Sequence, residues 1–440
     1  MVVASDSANG KTDGRSLLTG GAFLAGATLL AGVGNYVLNV VLGRWLGPSE
    51  FSDANLMVTL MLLATAVAIS LQLLAAKFTS RNQAVDNQAE GDRVSRWLER
   101  RAFTVGIVIA VALSFTATDA SEFFNTQSAW PIAILGWGMP FYLAHGVGRG
   151  VLQGRLQFKR LASTYLAEML VRLGLSTTLV WLGFGVTGAT IGLSVSFVAT
   201  WISVRIAIGS RSTGRASTKE LKKVMTEVGP VAVLLAGQII VNNQDVLWVK
   251  RQFDPNLAGA YAGIALIGRA VFFLSWSVVA AVFPASSQRS AAGTDARRLL
   301  LSATAAVSAI GVACVVGAIV AGDLVLNNVF GPGYDRVGAY LPWYAGATSL
   351  FALANLWASY DLSVGRSRGP RLLLLGAIVQ SVLLLSMGST IHGVIQAQVI
   401  AMAGLVALCA ATILRSPKVS HPAPGPTNFS QPADETRVPA

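Results

Sequence analysis

Gly43-Arg44-Trp45-Leu46-Gly47-Pro48-Ser49-Glu50-Phe51 closes one long apolar run and opens the next. In the second half, Lys250-Arg251-Gln252-Phe253-Asp254-Pro255-Asn256-Leu257 does the same between two further runs. Arg44 answers to Arg251 and Pro48 to Pro255 at a common offset of 207 residues. Gly154-Arg155 and Gly365-Arg366 recur at an offset of 211. A chain that repeats its interhelical turns at this distance is built from two similar halves. Two membrane-embedded halves around a central site are the usual plan of transporters that rock between two faces.

The composition agrees with membrane residence. Only 12% of the 440 residues are charged and 53% are hydrophobic, against roughly 25% charged in soluble domains. Apolar runs long enough to cross a bilayer lie at about 17–42, 55–76, 102–118, 129–152, 160–182, 186–208, 228–249, 257–284, 299–321, 339–362, 370–388 and 392–414. The sequence therefore predicts an all-α polytopic membrane protein of about 12 transmembrane helices. Each half holds an even number of spans, so both enter the membrane in one direction. The expected symmetry is two six-helix bundles related by a pseudo-two-fold axis along the membrane normal. The expected boundaries are a disordered cytoplasmic N-terminus at 1–16, an N-terminal bundle at 17–208, a cytoplasmic linker at 209–227, a C-terminal bundle at 228–415 and a disordered cytoplasmic tail at 416–440. The two tails are too polar to bury enough apolar surface to offset ordering. The linker reads either as a short amphipathic helix over 219–226 or as a plain solvated segment. The first run is too long for a signal peptide and leads straight into another run.

The net charge of +12 is a statement about topology. Basic residues cluster in alternate connections: Arg93, Arg96, Arg100 and Arg101; Arg149, Arg155, Lys159 and Arg160; Arg205, Arg211, Arg215, Lys219, Lys222 and Lys223; Arg366, Arg368 and Arg371. On the other side fall only Arg44, Lys250, Arg251 and Arg336. Positive residues stay on the cytoplasmic side, so both termini are expected there and no nucleic-acid partner is implied. The opposite connections are short and carry scattered Asp119, Glu122, Asp254, Asp323 and Asp335. That is a poor basis for an enzyme site, which needs converging acids, bases and nucleophiles. No GxxxxGK[ST] motif is present to drive an ATP pump. Cys314 and Cys409 lie inside expected spans, so neither a disulfide framework nor a metal centre is expected.

Several segments together resemble one family. Besides the 43–51 turn, these are Gly150-Val151-Leu152-Gln153-Gly154-Arg155-Leu156-Gln157-Phe158, Asn242-Asn243-Gln244-Asp245 with Ala258-Gly259-Ala260-Tyr261, and Phe330-Gly331-Pro332-Gly333-Tyr334 with Ala354-Asn355. In order and spacing they resemble bacterial polysaccharide flippases of the multidrug, oligosaccharidyl-lipid and polysaccharide exporter superfamily. The likeness runs over about 17–415. One departure is Ser52-Asp53-Ala54, where the family often has a glycine and an aromatic. Twelve spans fit the polysaccharide branch better than the peptidoglycan-precursor branch, which commonly has fourteen. The resemblance implies a polyprenyl-pyrophosphate-linked oligosaccharide as cargo and a bacterial cell membrane as location. It also implies a polysaccharide polymerase and glycosyltransferases as partners. It implies no cofactor, and leaves open a proton or sodium ion as the coupling ion.

An ionisable side chain inside a span is costly and marks a functional candidate. Glu168 and Arg172, Asp245 and Arg269 qualify. At about 1.5 Å per residue both arginines lie near mid-membrane. Glu168 and Arg172, spaced i, i+4, either pair with each other or contact cargo. Asp245 either locks packing with Arg251, Lys250 or Arg269, or carries the coupling ion. Arg269, with no partner on its own helix, is a candidate phosphate holder, for which a guanidinium fork is suited. Arg44 and Arg251 are candidates to receive the headgroup at the far side, or are interfacial anchors. Asn39, with Asn35, and Asn242 with Asn243 stand at matching places in the halves, as cavity amides or as interhelical glue. Trp276 is a candidate platform for a sugar face. The competing readings are a cation-coupled multidrug exporter of the same superfamily, and a membrane enzyme or scaffold of glycan assembly.

Overall fold

Gly47 has φ 70° and ψ 173°, a backbone that side-chain-bearing residues resist, and Pro48 behind it offers no N–H to a helix. In this computed structural model, which describes residues 6–85, 87–212, 219–291 and 297–414, the pair folds α1 (Asp6–Ala84) into two limbs that are spans one and two. The matching turn in the second half breaks the chain between α7 (Lys219–Gln252) and α8 (Pro255–Gly268). There Pro255 occupies the first turn of α8, and the Asp254 carboxylate accepts the N–H groups of Asn256 and Leu257, each at 3.1 Å.

Among the described residues every regular element is helical. After α1 come α2 (Gln88–Phe115), the short α3 (Ala117–Phe123), α4 (Trp130–Gly154), α5 (Phe158–Leu179) and α6 (Gly185–Ile208). After α8 come α9 (Ala270–Ala291), α10 (Arg297–Val329), α11 (Leu341–Ser363), α12 (Arg368–Met387) and α13 (Ile391–Leu414). Seven continuous stretches are long and apolar enough to cross a bilayer. Two of them, of 66 and 51 residues, hold two crossings each, folded at Gly47 and at the π-turn Val180–Phe184. α2 and α3 form a further apolar pair bent by 66°. The remaining two, α4 and α11, are the most enclosed helices of their halves and carry polar residues there, among them His145, Arg149, Asn355 and Asp361. With them the crossings reach the expected twelve.

The halves repeat in packing as well as in sequence. α4 packs on the second limb of α1, on α2 and on α6, while α11 packs on α9, α10 and α13, their counterparts. α5 lies beside α6 and α1 as α12 lies beside α13 and α7. In lipid, helices gain by close backbone approach rather than by hydrophobic burial. Gly146, Gly150 and Gly154 form such a face on α4, set against the carbonyls of Ala68, Gln72 and Ala76 on α1. A Cβ at Gly146 would stand 2.8 Å from the Ala68 oxygen, and one at Gly154 2.5 Å from that of Ala76.

The halves meet along α1, which packs against α7 and α8. At the end bearing the Gly47 turn this seam is closed. Phe330 and Tyr334 stack there with ring centres 4.9 Å apart, Phe51 packs against both, and the Tyr334 hydroxyl donates to the Gly43 carbonyl at 2.7 Å. At the other, basic end, Lys77 and Arg81 of α1 reach Glu227 of α7 at 2.5 and 3.3 Å.

α1 begins at Asp6, so the helix runs through residues 6–16 ahead of the apolar stretch that opens at Thr19. From Lys219 the chain is already α7, whose apolar stretch opens at Met225, so 219–226 leads into span seven as part of one helix. Residues 1–5, the 213–218 part of the linker and the 416–440 tail lie outside the described residues.

Candidate functional site

Each half buries one polar network near mid-depth, and the two differ in charge. In the first half α4 and α5 supply it. Arg149 Nη2 lies 2.7 Å from Glu168 Oε2, and Arg172 Nη2 donates to Glu168 Oε1. Arg149 also donates from Nε and Nη2 to the Thr164 hydroxyl and carbonyl at 3.1 and 2.9 Å, and its guanidinium lies 3.9 Å from the centre of the Tyr165 ring. Arg172 donates to Asn35 Oδ1 at 3.0 Å and to Ser196 Oγ at 3.3 Å. Two arginines thus share one carboxylate, leaving a net positive charge.

These residues form a staircase inward from the basic end. Gln72, Gln153 and Tyr165 stand beside Arg149, with Gln72 Nε2 2.9 Å from Gln153 Oε1. Arg149 lies about 8 Å from the end of α4, and Glu168 and Arg172 lie about 15 and 21 Å from the start of α5, at 1.5 Å per residue. Gln72, Gln153, Tyr165 and Asn35 are only partly buried. His145, one turn before Arg149, is buried against Tyr142 and Phe197.

The network of the second half is neutral. Arg269 Nη2 donates to Asp245 Oδ1 at 3.1 Å, Nη1 to Asn243 Oδ1 at 3.2 Å, and Nε to the Tyr344 hydroxyl at 3.0 Å. The other Asp245 oxygen accepts from Tyr261 at 3.0 Å, Tyr344 at 2.9 Å and Gln398 at 2.9 Å. Span eight breaks at Arg269, between α8 and α9, and this network pins the break. A small polar recess beside it is lined by Asn242, Asp245, Tyr344, Thr348, Gln380 and Gln398.

Arg269, the candidate phosphate holder, is 8% exposed, and its three nitrogens donate to Asp245, Asn243 and Tyr344, where its charge is balanced by a single carboxylate. Of the two roles weighed for Asp245, the packing lock with Arg269 is the one its contacts describe. The i, i+4 pairing of Glu168 with Arg172 is present, joined by Arg149. Asn35 and Asn243 each accept from a deep arginine of their own half, Arg172 and Arg269. Asn39 donates to the Asn35 carbonyl at 2.8 Å within its helix, and Asn242 is partly buried at the recess. Arg44 is exposed and donates to the Asn328 carbonyl at 2.7 Å. Arg251 lies over the Phe123 ring at 4.2 Å. Trp276 is 43% exposed, with its ring centre 6.0 Å from that of Phe272.

Arg149 and Lys250 were read as loop charges, yet both are buried, at 5% and 2% exposure. For Arg149 a signal was available: the Gly146, Gly150, Gly154 spacing carries a packed helix past it. Tyr261 stood in the Ala258–Tyr261 segment of the resemblance, but its contact with Asp245, like those of Tyr344 and Gln398, carried no local signal, because the partners lie on other helices.

Residues 41–338 match the family described as polysaccharide biosynthesis protein. The chain belongs to this family. It is 22% identical over 386 residues to uncharacterised proteins of Mycobacterium bovis and Mycobacterium tuberculosis, covering 84% of this chain and 88% of each relative. Among solved structures, its fold is similar to an inward-facing multidrug resistance MATE family transporter of the MOP superfamily. The TM-score is 0.75 at 14% identity, over 86% of this chain and 94% of that one. It is also similar to the lipid II flippase MurJ in an inward closed conformation, with TM-score 0.71 at 13% identity, over 90% and 88% of the two chains. The family and fold agree with the resemblance read from the sequence: this member of the polysaccharide biosynthesis family has a helical, multi-pass membrane fold.

Proposed function

We propose that this polysaccharide biosynthesis protein is a flippase that carries a polyprenyl-pyrophosphate-linked oligosaccharide from the cytoplasmic to the outer leaflet by alternating access, in a bacterial cell membrane with both termini cytoplasmic. The observation that carries the reading is the unbalanced charge of the first half, Arg149 and Arg172 against Glu168 alone. A surplus buried cation is costly in a membrane unless an anion visits it. An anionic headgroup supplies that anion, whereas the cationic cargo of a drug exporter would be repelled.

The staircase suits such a cargo. The glutamines and the Tyr165 hydroxyl offer hydrogen bonds to sugars, and the arginines beside and beyond them hold phosphate. The basic end faces the cytoplasm by the positive-inside rule. The seam closed at the Gly47 end then shuts the outer side while cargo loads from within. The second half, neutral and pinned at Arg269, acts as the wall against which the first half rocks.

The test is reconstitution into liposomes with a fluorescent polyprenyl-diphosphate oligosaccharide, following leaflet exchange by quenching. Wild-type protein should accelerate exchange and Arg149→Gln should abolish the acceleration. Movement of a lipophilic cation with no lipid exchange would assign the protein to drug export instead.

A further inference from the structure

Glu168 is held differently from the other deep acid. Asp245 is fixed by an arginine, two tyrosines and a glutamine. Glu168, among the described residues, is held by Arg149 and Arg172 alone. The arginines, by contrast, do not depend on Glu168 for their positions. Thr164 and the Tyr165 ring fix Arg149, and Asn35 and Ser196 fix Arg172. These partners are all neutral, so they set geometry without cancelling charge. The result is a preorganised two-arginine cradle already occupied by a bridging carboxylate. Guanidinium forks bind carboxylate and phosphate with the same geometry.

We propose that Glu168 is a resident anion in the place of the cargo's diphosphate: incoming diphosphate displaces it from Arg149 and Arg172, and Glu168 retakes them when cargo leaves. The inference rests on the flippase reading above and deepens it. An internal competitor makes binding an exchange of one anion for another, so the cradle never stands as two bare buried cations. It also sets selectivity. A singly charged headgroup gains little by replacing a carboxylate, whereas a diphosphate brings more charge and more acceptor oxygens to the same two forks. Return of the carboxylate weakens the hold on cargo and speeds its release.

The experiment uses the full chain in phosphatidylcholine nanodiscs, titrated with farnesyl diphosphate, farnesyl monophosphate and farnesol. Glu168→Gln, nearly isosteric, should tighten farnesyl diphosphate at least tenfold and bring the monophosphate closer to it, with farnesol unchanged. Adding Arg149→Gln to that variant should reverse the gain. Glu168→Asp, which keeps the charge on a shorter arm, should tighten binding by less and stands in if Glu168→Gln does not fold. Wild-type binding that Glu168→Gln leaves unchanged or weakens would overturn the resident anion while sparing the flippase reading. No diphosphate binding by any of the folded proteins would overturn both.

Discussion

Lys250 Nζ lies 2.6 Å from Asp53 Oδ1, and the pair joins the two matched turns of the halves across the closed end. Both side chains are buried, and Lys250 also donates to Ser52 Oγ at 2.9 Å and to the Asn125 carbonyl at 3.1 Å. The Gln127 N–H holds the second Asp53 oxygen at 3.0 Å. An opening motion at this end must separate them, and in the open state each charge would meet water. The pair is therefore a latch whose strength counts only in the closed state. It also explains the departure at Ser52-Asp53-Ala54, since Asp53 and Ser52 are the partners Lys250 needs.

Lys250→Met leaves the Asp53 carboxylate buried without its cation, which costs about 3–5 kcal/mol in the closed state. Opening relieves that cost, so the population should shift toward the open form by about a hundredfold or more. Spin labels at the exposed positions Asp119 and Asp335, in a background without Cys314 and Cys409, would report it as a longer distance. Adding Asp53→Asn removes the orphaned charge and should restore much of the closed population. An unchanged distance distribution in Lys250→Met would show that the pair does not hold the end shut.

Gly259 meets the carbonyl of Pro48 so closely that no Cβ fits between them. Gly259→Ala must push the matched turns apart, an overpacking cost of about 1–3 kcal/mol. Hydrogen exchange over 44–53 and 250–260 should accelerate, while exchange in α4 and α11 stays as in the wild type. Wild-type protection around both turns would mean that the turns absorb the methyl without parting.

How far these features were legible follows from what each depends on. The spans could be read because a bilayer demands long apolar runs, and the turns because Gly47-Pro48 and Asp254-Pro255 break helices locally. The Glu168–Arg172 contact was legible because four residues on one helix share a face. Arg149 and Lys250 were misplaced because each lies near the end of an apolar run, where a charge looks like a loop residue. Their burial depends on Glu168, 19 residues on, and on Asp53 in the other half, which spacing does not reveal. The Asp245–Arg269 pair was legible only as one of three pairings open to Asp245, because the two residues lie on different spans.

The different pairings of the deep arginines set what their substitutions should do. With Asp245 depending on it as the only cation among the described residues, Arg269→Gln should lower stability by about 3–5 kcal/mol, read as an earlier thermal unfolding midpoint in detergent. Arg149→Gln leaves Glu168 paired with Arg172 and Tyr165 in place, so its loss of stability should be smaller. Its charge effect is larger in kind, because it turns the first half's network from net positive to neutral. Lipid exchange by the folded Arg149→Gln protein should fall at least tenfold, and Arg149→Lys should keep part of the rate, since charge persists while the fork is lost. Wild-type exchange by Arg149→Gln, or an unchanged midpoint for Arg269→Gln, would reverse the roles assigned to the two halves.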